Sequence, residues 1–162
     1  AAAAYPQPMP GYLDELVGRP GRLLLIPAVQ RLLFRTGVVQ RLVRHTHRRM
    51  FHDPDKIPEG HDEAAIDILR SKGIFYALRE SARNAVPEDV DSFPERYRQI
   101  SCPTLVIWGK EDRVVPALNA LRLEADIPGA RLHVFDECGH LPHLEYPHES
   151  AAVIRDWARY QL

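Results

Sequence analysis

Thr104-Leu105-Val106-Ile107-Trp108 is a short run rich in β-branched and aromatic residues, apolar on both faces when extended. A strand with two apolar faces needs cover above and below, which points to a parallel sheet clad in helices. Gly109 ends the run, Asp112 follows in the turn, and Pro116 opens the next segment, as a proline often does at the first helical position. Downstream, Arg131–Phe135 reads as a second strand, and Asp136-Glu137-Cys138-Gly139-His140 follows its end. In open α/β sheets chemistry collects beyond the carboxyl ends of the strands. A carboxylate after one strand and an imidazole after the next are therefore placed to meet above the sheet.

Two spaced patterns run through these strand ends: Trp108-Gly109-x-x-Asp112-x-x-x-Pro116 and Gly139-His140-x-x-x-x-Glu145-x-Pro147. Together they resemble the motifs that carry the triad acid and the triad histidine in the α/β-hydrolase family, in the family's order and at its usual separation. The resemblance is clear over residues 100–162 and looser before them. It implies an α/β fold in which residues 95–162 are the C-terminal part of the sheet, its last two parallel strands with flanking helices. Residues 1–94 are then linker and helical cap. It also implies that Asp112 and His140 are catalytic, that no cofactor or metal is needed, and that the substrate is a small molecule with an apolar part. Ala3-Ala4-Tyr5-Pro6 is similar to the sequence that follows the sixth strand in that family, so the chain is expected to start just after a strand.

The chemistry of the residues agrees with those roles. A hydrolytic triad needs a nucleophile, a histidine that moves its proton, and a carboxylate that fixes the imidazole tautomer. Asp112 fits the carboxylate role, with Glu111 as the fallback, and His140 fits the proton shuttle. The nucleophile is not found. In this fold it precedes the acid on a G-x-S-x-G elbow, and none of Ser71, Ser81, Ser92 or Ser101 has glycines at both second neighbours. No aspartate sits in such a frame either. Cys102 fails because the next residue must give its N–H to the oxyanion hole, and Pro103 has none. The chain alone is expected to be inactive, with the N-terminal half of the same fold as its partner. The first reading is the cap and C-terminal part of a serine-type hydrolase that cleaves an ester or related bond through an acyl-enzyme. Haloalkane dehalogenases, epoxide hydrolases and carbon–carbon bond hydrolases are similar over this same stretch and are the alternative subtypes. A catalytically dead binding module and a membrane-peripheral protein are the competing readings.

The membrane alternative comes from the cap. No acidic residue occurs from Leu16 to His52, while Arg19, Arg22, Arg31, Arg35, Arg41, Arg44, Arg48 and Arg49 all do. Leu32, Leu33, Val38, Val39, Leu42 and Val43 interleave at roughly helical spacing, and Gly37 breaks the run. These are either cap helices with a solvated arginine face or a basic surface for anionic lipid or substrate. His45, His47, His52 and His61 lack any metal-ligand pattern and read as surface histidines. Asp62 or a residue near it is expected to cap a helix carrying Ala65, Ile66 and Leu69, followed by one through Ile74, Phe75, Leu78 and Ala82. Leu118, Leu121 and Ala125 are expected as the inner stripe of the helix between the strands, and Val153, Trp157 and Tyr160 as that of the last helix. The net charge of -1 gives no argument for nucleic acid. No apolar run of about 18 residues suggests a membrane span, and no secretory leader is recognisable. Cys102 and Cys138 fall at opposite ends of parallel strands, too far apart to pair. A reducing, cytoplasmic setting is the expectation.

Overall fold

The structure, a computed structural model, describes Tyr5, residues 22–84 and residues 88–160. The expected linker, apart from Tyr5, lies outside the described residues, as do Arg19 and Pro87. Among the described residues the α-helices are α1 (Pro27–Arg35), α2 (Val38–Met50), α3 (His61–Leu69), α4 (Ile74–Arg83), α5 (Phe93–Tyr97), α6 (Leu118–Asp126), α7 (Pro142–Glu145) and α8 (Pro147–Arg159). Strands β1 (Leu105–Gly109) and β2 (Arg131–Phe135) flank α6. The chain divides into two units, one of residues 1–5, 47–58 and 89–162, the other of residues 6–46 and 59–88.

In the first unit β1 and β2 pair in parallel, with Leu105 opposite Arg131 and Gly109 opposite Phe135. Parallel pairing requires a crossover, which α6 supplies. Val106 and Trp108 point to one side of β1 and are buried with Val115, Ala120, Leu123, Ile127 and Tyr5. Full burial of such side chains stabilises by about 1.5–3 kcal/mol each. The Trp108 indole N–H donates to the Val115 carbonyl at 3.2 Å, so the core residue also fixes the turn that carries Asp112. Leu105 and Ile107, on the other side, are only half-buried.

The face of α6 turned inward differs from the expected one. Asn119, Ala120 and Leu123 are buried, while Leu118 and Leu121 are 56% and 55% exposed and Ala125 is exposed too. The helix offers two apolar stripes of equal periodicity, and Ala120, Leu123 and Ile127 are the set that meets Val106 and Trp108. On α8, Val153 and Trp157 are half-buried as expected, but Tyr160 is 77% exposed, at the helix end and beside the Arg131 guanidinium.

In the second unit α1 and α2 are split at Gly37, whose φ of 74° lies in the left-handed region that glycine enters without penalty. Val39, Val43 and Ile66 form its core, with Leu33, Phe34, Ala65 and Leu69 against them. Gly60 rather than Asp62 stands at the cap of α3; Asp62 sits in the first turn, where the helix dipole favours its charge. Arg22, Arg31, Arg35, Arg41, Arg44, Arg48 and Arg49 are all exposed, the arrangement a solvated face requires. Among the described residues, no helix is long and apolar enough to cross a membrane.

Candidate active site

The carboxyl ends of β1 and β2 are laced together by backbone. Lys110 N–H donates to the Phe135 carbonyl at 2.9 Å and Glu111 N–H to the Cys138 carbonyl at 3.0 Å. The loops run so close that a Cβ built on Gly109 would stand 1.9 Å from the Gly139 carbonyl oxygen. Only glycine fits there. This close approach brings the two chemistry-bearing turns side by side.

Asp112 emerges from the first turn, 8% exposed overall with its side chain fully covered. Its Oδ1 accepts the N–H groups of Val114 at 2.8 Å and Val115 at 2.9 Å. Its Oδ2 stands 2.9 Å from Nδ1 of His140. A carboxylate accepts only, so the Nδ1 at that distance carries a proton, and in the neutral imidazole the lone pair is then on Nε2. Burial alone would raise the Asp112 carboxyl, but the hydrogen bonds from His140, Val115 and Val114 outweigh it and hold the group below its ordinary range. Asp112 therefore stays ionised and orients the imidazole, which can accept a proton at its other nitrogen.

Glu111, the fallback acid, is turned elsewhere: its Oε2 accepts the Cys138 N–H at 3.0 Å and braces the second turn. Cys138 is fully buried, and burial together with the Glu145 carboxylate pushes its thiol up to about 12, far from a reactive thiolate. Cys102 is exposed and free, as is fitting for two cysteines that do not pair. Among the described residues, no hydroxyl or thiol hydrogen-bonds to the His140 ring, and no cluster of His, Cys, Asp and Glu is placed to hold a metal ion.

Sequence reasoning missed the support beneath His140. The His140 N–H donates to the Met50 carbonyl at 2.6 Å. Glu145, only 4% exposed, accepts the Gly139 N–H on Oε1 at 2.6 Å and the N–H groups of His52 and Asp53 on Oε2 at 2.9 and 3.3 Å. A Cβ on Gly139 would lie 2.5 Å from the Met50 oxygen, so glycine is needed here as well. The spacing Gly139-His140-x-x-x-x-Glu145 was the available signal for Glu145; the contribution of residues 50–53 had none.

A family model described as the alpha/beta hydrolase family matches residues 1–153. The chain belongs to that family. A 2-hydroxy-6-oxononadienedioate/2-hydroxy-6-oxononatrienedioate hydrolase of Paraburkholderia xenovorans (strain LB400) is 38% identical over 125 residues, 77% of this chain and 43% of the relative. Other curated relatives are spanned over 22% to 45% of their length. Among solved structures, a 2-hydroxy-6-oxo-6-phenylhexa-2,4-dienoate hydrolase from Rhodococcus sp. strain RHA1 matches 97% of the chain and 52% of that structure, at 20% identity and a TM-score of 0.66. An esterase from Exiguobacterium antarcticum matches 98% and 55%, at 22% identity and a TM-score of 0.66. These structural likenesses show the alpha/beta hydrolase fold, and the parallel pair β1–β2 with its helices is part of it.

Proposed function

We propose that this chain carries the acid and the histidine of a hydrolytic triad, and that the hydrolase it serves attacks a carbonyl carbon of a small molecule. The observation that supports this most is the covered Asp112 carboxylate 2.9 Å from His140 Nδ1 at adjoining strand ends. In this reading a nucleophilic hydroxyl loses its proton to His140 Nε2 as its oxygen bonds to the carbonyl carbon. Asp112 stabilises the imidazolium so formed. The scissile bond breaks, the departing group takes that proton, and water then releases the acyl group by the same route. The departing atom is oxygen for an ester and carbon for a ketone C–C bond. The name shared by several relatives, with its 6-oxo group, favours an oxo-dienoate of the second kind for this chain.

The nucleophile and oxyanion hole belong, in this proposal, to further parts of the fold. Three features support that: β1 pairs along one edge only among the described residues, Leu118, Leu121 and Ile154 lie exposed, and the curated relatives are more than twice as long as the stretch matched. The helices α1–α4 are then the helical cap region of that hydrolase, and free cysteines suit a reducing compartment.

The test is turnover of 4-nitrophenyl esters and of 2-hydroxy-6-oxo-dienoates by the full reading frame that encodes the chain, beside residues 1–162 alone. Hydrolysis by the former and none by the latter is expected. Failure of the full reading frame on both classes would overturn the reading, and turnover by residues 1–162 alone would overturn the division of labour.

A further inference from the structure

We propose that Glu145 is the positioning residue of this site: its covered carboxylate sets where His140 stands by gathering three backbone N–H groups from two distant chain segments. Its consequence for turnover rests on the hydrolase reading above; its geometry does not. His140 has two anchors. Its own N–H reaches the Met50 carbonyl directly at 2.6 Å. The preceding N–H, of Gly139, reaches the same segment through Glu145, whose second oxygen holds His52 and Asp53. The peptide that carries the imidazole is thus fixed on both sides against residues 50–53, 93 positions away from Glu145 in the chain at His52. Tight packing leaves no alternative seat, since Gly139 has no room for a Cβ against Met50 and His52. The neighbouring helix is tied in as well: Ser150 Oγ donates to the Pro142 carbonyl at 3.0 Å, holding α7, and with it Glu145, against α8.

This arrangement demands a carboxylate. Both oxygens face N–H donors, so both must accept. Glutamine keeps one acceptor and turns an NH2 towards the other donors, leaving a covered N–H unpaired whichever way the amide is set. Aspartate keeps both acceptors but is one methylene too short to reach both segments. Glu145 meets no reacting atom in this scheme; it acts through His140.

The test uses the isotope-labelled product of the full reading frame and needs no turnover. Asp112–His140 hydrogen bonding gives the His140 Nδ1 proton a low-field NMR resonance, and hydrogen exchange reports the Gly139 and His52 amides. In Glu145→Gln the resonance is expected to broaden or vanish, and the two amides to exchange at least about 10-fold faster. Leu123→Ala, a core cavity on α6 with a comparable fall in Tm, is expected to keep the resonance. A resonance and amide protection unchanged in Glu145→Gln would overturn the proposal, and so would equal loss in Leu123→Ala. If Glu145→Gln does not fold, the wild-type amides decide: exchange of Gly139 and His52 at the rate of unstructured chain overturns the proposal, and strong protection supports it. In the full reading frame Glu145→Gln is expected to lower kcat by about 10²-fold with KM little changed. Loss of the His140 signal in a protein that hydrolyses nothing would retire the hydrolase reading and leave this one standing.

Discussion

Asp112 holds the balance of the site at the scale of single residues. Its folded value lies below that of the unfolded chain, near 3.9 for an aspartate. A depressed carboxylate contributes stability above the unfolded value and loses it as pH falls through the folded one. Urea unfolding between about pH 5 and pH 2 is therefore expected to show a loss of stability in wild type that is flatter in Asp112→Asn; parallel curves would contradict this. Asp112 and His140 were legible in the sequence because each follows a strand with a clear apolar pattern, and adjacent parallel strands bring such ends together. Choosing Asp112 over Glu111 needed the motif, and the structure supplies the physical reason: Glu111 is spent on the Cys138 N–H. The task of Glu145 was not legible, because its partners are backbone N–H groups, which leave no trace in side-chain identity.

At the scale of elements, both strands were readable from composition and from the glycine and proline that punctuate them. The rotation of α6 was not, since Leu118, Leu121 and Ala125 repeat as regularly as Ala120, Leu123 and Ile127. What decides is the partner: the second set meets Val106 and Trp108. Leu123→Ala is accordingly expected to cost about 2–4 kcal/mol and Leu121→Ala less than about 1 kcal/mol, measured by denaturant unfolding. Equal costs would mean that α6 packs on its other face. The exposure of Tyr160 was missed for a related reason: helix ends depend on where the chain must turn, which local pattern states weakly.

Over the whole molecule, the sequence suggested a helical portion followed by a sheet portion. The structure assigns residues 47–58 to the unit that holds the sheet, between two stretches of the other unit. That insertion was invisible beforehand because it rests on long-range bonds to His140 and Glu145. It gives the site a third chain segment besides the two strand ends. The account stands on Asp112 and His140 working as one proton-moving pair, and steady-state hydrolysis by the full reading frame measures this most directly. With His140→Gln and with Asp112→Asn, kcat is predicted to fall about 10³-fold or more while KM changes by less than about 3-fold. The double variant is predicted to lose little beyond the larger single effect, as residues that act as a unit do. Activity within about 10-fold of wild type in either single variant, or losses that multiply in the double variant, would contradict the account.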